Sequence, residues 1–155
     1  MQGAKAIAEL LKKNTIEFTV PTLTSHIWNL KLQLHLHGNY MGNEGIWALV
    51  SGLYAHRGII TLLDLENNEI GPKGAFHVAE YIKRTKSLLW LNLYMNDIGD
   101  EGTESIAGAL KQNHSISTID LVRLSSCLSS FASIQDFYIT LLIRNYHAIN
   151  FFSYL

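Results

Sequence analysis

Leucine and isoleucine alternate with other residues at Leu34 and Leu36, Leu63 and Leu65, Leu91 and Leu93, and Ile119 and Leu121, the spacing of a half-buried strand. Behind each of the first three stretches the period lengthens. Apolar positions then fall at Ile46, Leu49, Val50 and Leu53, at Ala75, Val78, Ala79 and Ile82, and at Ile106, Ala107 and Leu110. Those offsets line one face of a helix of about three turns. Asn43, Pro72 and Asp100 stand where the helices should begin, Pro72 as a first-turn residue and the other two as caps or first-turn acceptors.

The same unit recurs. Gly42, Gly71 and Gly99 are spaced 71 − 42 = 29 and 99 − 71 = 28, and Gly45, Gly74 and Gly102 keep that spacing. Asn39, Asn68 and Asn96 keep it too, as do Leu36, Leu65, Leu93 and Leu121. A short strand and a helix cannot each bury a face alone, so neighbouring copies must stack into one continuous core. The expected fold is an α/β solenoid of parallel strands backed by helices. Each strand-end Asn is expected to satisfy backbone groups left unpaired where the chain turns away.

The stretches LLDLENNEIGPKGAFHVAEYIK and LWLNLYMNDIGDEGTESIAGALKQN resemble leucine-rich repeats of the ribonuclease-inhibitor type, which also occur in NOD-like receptors and the Ran GTPase-activating protein. The resemblance is specific over Leu34 to Leu121. It implies a curved solenoid with strands on the concave side and helices on the convex side. Protein binding is the work that it implies, with two alternatives: regulation of a small GTPase, or a remnant of a larger NOD-like-receptor-type sensor.

Outside that stretch the pattern breaks. Ala4, Ile7, Ala8 and Leu11 match the buried helical columns, so residues 1–15 read as the helical half of a repeat whose strand is missing. Gly3 and Gly45 are spaced 45 − 3 = 42, one unit of 28 plus 14, and the surplus falls in 16–30, an insertion or irregular segment that fits no column. Residues 31–121 hold the repeats. At 122–155 the signature positions become Leu124, Cys127 and Ser130, which leaves a degenerate repeat or a non-repeat tail. Because FYITLLI is apolar and strand-prone where a solenoid end normally has a polar cap, deleting the tail should raise soluble yield unless it docks on the stack.

Composition then narrows the partner. With 12 Lys and Arg against 13 Asp and Glu, the formal charge of −1 supplies no field to attract nucleic acid or an anionic membrane. Cys127 is the only cysteine, which precludes an intrachain disulfide and predicts a reducing, cytoplasmic setting. The apolar run Phe137 to Ile143 is far short of the roughly 20 residues that span a bilayer. Asn113-His114-Ser115 matches a glycosylation acceptor, read as a chance match in such a compartment.

With the leucines turned inward, the alternate strand positions form the candidate partner face: Gln33, His35 and His37; Leu62, Asp64 and Glu66; Trp90, Asn92 and Tyr94; Thr118, Asp120 and Val122. The expected binding residues are His35, His37, Asp64, Glu66, Trp90, Asn92, Tyr94 and Asp120. Trp90 and Tyr94 are the expected anchors, because exposed aromatics dominate hot spots. His35 and His37 beside Asp64 and Glu66 are zinc-ligand types, but the resemblance carries no metal, and His–carboxylate pairs are expected instead. No cofactor is implied. Ser51, Ser87, Ser105 and Ser115 fall in helix or helix-end columns without a strand-face His, and Gly42-Asn43-Glu44-Gly45 is a repeat turn rather than a phosphate loop, so no enzyme is expected.

Overall fold

A computed structural model describes residues 2–13, 31–56 and 58–121. Eight elements follow one another as α1 (Gln2–Lys13), β1 (Lys31–His35), α2 (Gly42–Ala55), β2 (Ile59–Asp64), α3 (Pro72–Arg84), β3 (Trp90–Asn92), α4 (Gly99–Leu110) and β4 (Thr118–Asp120). The strands form one parallel sheet in sequence order. This is the strand–helix solenoid that the period predicts. The expected insertion at 16–30 and the tail at 122–155, with Val122 and Cys127, lie outside the described residues.

β3 and β4 are three residues long, shorter than the alternation suggests. The ladder nonetheless runs on past the ends of β1, β2 and β3, through Leu36 N to Asp64 O (2.9 Å), Leu65 N to Asn92 O (2.9 Å) and Leu93 N to Asp120 O (2.7 Å). Asn67 N then donates to Tyr94 O, at 3.0 Å. Pairing between repeats therefore outlasts the regular strand geometry.

The core lies between sheet and helices. Leu63, Leu65, Leu91 and Leu93 meet Ile46, Leu49, Ile82 and Ile106, and all eight side chains are essentially inaccessible to water. Leu34 and Leu36 occupy the same columns in the first repeat but are only partly buried. An inner repeat is covered on both sides; β1 is the edge of the described sheet, so its leucines pack less completely. On α1, Ala4 and Ala8 are buried, with Ile7 partly so. At Gly52 a Cβ would stand 2.6 Å from Ala8 Cα, so only glycine lets α1 lie this close on α2.

Side-chain amides join one repeat to the next. Asn96 donates through Nδ2 to Leu65 O (2.9 Å) and Leu93 O (3.0 Å), while its Oδ1 accepts from Asn68 N and Ile70 N, both at 3.0 Å. Asn68 repeats the scheme one unit back, donating to Leu36 O at 2.8 Å and accepting from Asn39 N at 3.1 Å. The expected role of the asparagine column is thus present, and at Asn68 and Asn96 most of the side-chain bonds cross between repeats.

One expectation is corrected. Asn43 does not cap its own helix: α2 begins at Gly42 without a side-chain cap. Its Oδ1 instead accepts from Gly71 N (2.9 Å) and Gly74 N (2.8 Å), which are the N-cap and third residue of α3. Those are amides that a helix start leaves without partners. Since α2 and α3 run side by side, a first-turn residue of α2 reaches the start of its neighbour more directly than the start of its own helix.

Candidate functional site

The backbone register fixes the strand face. His35, Asp64, Asn92 and Asp120 are successive partners across the four strands, and Leu62, Trp90 and Thr118 form a second row. Glu66 and Tyr94 stand two residues beyond Asp64 and Asn92, where the inter-strand hydrogen bonds continue, and so extend a third row begun by His37. The register shift between Leu32 and Gln33 sets Gln33 opposite Leu62. Among the described residues, the rows expected from sequence spacing are therefore brought together.

Their exposure differs from the expectation. Asp64 and Asn92 are 8% and 7% exposed, so both are structural hubs of the face rather than free contacts. Asp64 Oδ1 accepts from Glu66 N at 3.2 Å, and its Oδ2 stands 3.5 Å from His37 Nδ1 and 3.9 Å from His35 Nδ1. Asn92 donates to Glu66 Oε2 at 2.9 Å and accepts from Tyr94 N at 2.9 Å. Short polar side chains at strand ends bend back onto the amide two residues ahead, which ties one acceptor atom of each to the backbone.

What remains open to a partner is the ring around these hubs. His35 and His37 are largely exposed, Glu66, Trp90 and Asp120 are half-buried, and Tyr94 is 43% exposed. Burial, followed by repulsion from the Asp64 and Glu66 carboxylates, pushes the Asp120 carboxyl above the ordinary aspartate value. Negative charge is thus concentrated over β2 to β4, with the histidines at the β1 edge. The His–carboxylate pairs form as expected; among the described residues no three His, Cys, Asp or Glu side chains form a metal-binding group.

Several features escape the sequence pattern. Met95 and Tyr40 are exposed apolar side chains on left-handed backbone, φ 55° and 50°. Met95 shares its column with Gly38 and Asn67, residue types that enter this region readily, so only the column comparison marks it. Trp47 and Phe76 are exposed at equivalent places on adjacent helices. Asn113, matched to a glycosylation acceptor, is buried. Its amide donates to Ile82 O (2.7 Å) and Thr85 O (3.0 Å), tying the end of α3 to the next turn. Ser51 and Ser105 hydroxyls bond back to Trp47 O and Glu101 O within their helices.

No helix among the described residues is long and apolar enough to cross a membrane. No curated protein matches the chain. A family model described as Leucine Rich repeat matches residues 60–79 and 86–107, which take in most of β2 with the first part of α3, and β3 with most of α4. Such repeats generally mediate protein–protein interaction and are generally non-catalytic. The matched residues and the parallel strand–helix stack agree: residues 60–79 and 86–107 are similar to leucine-rich repeats, and the fold is consistent with that type.

Proposed function

We propose that this chain is a non-catalytic module of ribonuclease-inhibitor-type repeats that binds a cytoplasmic protein partner through its strand face. The observation that carries the reading is Tyr94, a large aromatic side chain left exposed two residues beyond β3, on a face that half-buried Trp90 and Leu62 share with polar side chains. Aromatic anchors ringed by polar groups have the composition of interface hot spots. The regular spacing of the Gly and Asn columns supports the repeat type, and the single cysteine supports a reducing setting.

The test works with the partner still unidentified. Peptides from a displayed random library are enriched on the wild-type chain and then titrated against Tyr94→Ala and, on the helical side, Phe76→Ala. Binding at the strand face predicts at least a tenfold loss for Tyr94→Ala, about 1.4 kcal/mol or more, and no loss for Phe76→Ala. The reverse order would move the site to the helices. Tyr94 is suited to the test because its structural hydrogen bonds are made by its backbone, which the substitution retains.

A further inference from the structure

The strand face has a centre. Around Asn92, Asp64 and Asp120 lie one strand to either side, and Trp90 and Tyr94 lie two residues behind and ahead on β3 and its extension. Strands about 4.8 Å apart and a rise of about 3.3 Å per residue put all four within roughly 7 Å of the central residue. Glu66, hydrogen-bonded to Asn92, closes the gap between Asp64 and Tyr94.

We infer that this face takes an arginine-bearing segment of a protein partner, with the guanidinium seated over Asn92 between Trp90 and Tyr94 and facing the carboxylates of Glu66 and Asp120. The inference rests on the strand-face reading and adds the chemical class of the partner. Three observations choose the occupant. Tyr94 is an exposed and Trp90 a half-buried aromatic, and arginine stacks on aromatics where lysine presents only a point charge. Glu66 and Asp120 have no Lys or Arg partner among the described residues. Asn92, at the centre, is neutral and spends its amide on holding Glu66 in place, so it adds no competing cation.

The remaining charged or titratable groups of the face agree with this polarity. Lys31, His35 and His37 stand on or just beyond β1, at one edge, and both histidines lie nearest Asp64. Asp64 thereby faces two imidazoles from the β1 side, while among the described residues Glu66 and Asp120 have no basic side chain within 4 Å. Repulsion among the three carboxylates is the penalty an incoming cation would relieve, and a forked guanidinium matches two carboxylates better than an ammonium group does. A partner of the opposite charge would meet the same repulsion and bind less.

The probe is a fluorescein-labelled GSRGSRGSR peptide, with lysine and citrulline versions, titrated by anisotropy at low salt. The arginine peptide should bind at least tenfold more tightly than the citrulline peptide and more tightly than the lysine peptide. Glu66→Gln with Asp120→Asn should lose at least tenfold, whereas Glu44→Gln with Glu104→Gln, on the helices, should lose nothing. Equal binding of arginine and citrulline peptides, no binding of either, or equal losses in the two double variants would overturn the inference. If library peptides depend on Tyr94 yet these arginine peptides fail, the cationic class is wrong and the strand-face reading stands. Library peptides that bind independently of Tyr94 would remove both.

Discussion

Replacing Asn96 by Ala should be among the most damaging changes that leave the hydrophobic core untouched. Asn96 is 7% exposed and serves two repeats at once, through its acceptor on Asn68 N and Ile70 N and its donors on Leu65 O and Leu93 O. Alanine removes every one of those bonds. A buried N–H left without an acceptor costs about 1–3 kcal/mol, so the two amides alone put the loss at roughly 2–6 kcal/mol. A domain of ordinary stability has about 5–15 kcal/mol in all. Asn39 is the internal control, since it is exposed and its amide donates to Leu36 O and His37 O of its own turn. Asn39→Ala should therefore cost under about 1 kcal/mol, the value of a solvent-accessible hydrogen bond. Urea unfolding followed by circular dichroism gives both differences from the shift in midpoint at constant slope. Equal losses for the two variants would refute the account, because the column would then act through turn propensity rather than through bonds between repeats.

Leu65→Ala removes a fully buried side chain from the central strand column and should cost about 2–5 kcal/mol, measured in the same urea titration. Gly52→Ala would force a methyl to within 2.6 Å of Ala8 Cα, so α1 should detach while the central repeats stay folded; faster proteolysis confined to α1 is the expected readout. Asp120→Asn should raise the melting temperature at neutral pH. The native carboxyl titrates above its ordinary value of 3.8, so its contribution to stability falls as pH rises through the native pKa, and the advantage of Asn should vanish below pH 3.8. A variant less stable than wild type at pH 7 would show that the carboxylate is held by a favourable contact instead.

The fold is legible in the sequence because its determinants are periodic. Leu63, Leu65, Leu91 and Leu93 alternate, the helical columns return once in every repeat, and any sequence with both periods must stack to bury them. The rows of the strand face follow for the same reason, since parallel register is set by equal repeat length. Residue type and place also mark Asn68 and Asn96 as satisfiers of backbone groups.

Where each polar atom goes is decided only in three dimensions. Asn43 has the sequence position of a cap for its own helix and serves the next; Asn113 has the sequence of a modification motif and closes the end of α3. Asp64 and Asn92 sit in outward columns yet are buried, Asp64 beside His35 and His37 of the preceding repeat and Asn92 bonded to Glu66 one strand away. Periodicity reports which face a residue occupies, a property of the backbone repeat alone. Burial and bonding depend on the atoms of the adjacent repeat, far away in sequence and one strand away in space, and those distances exist only after the repeats have stacked.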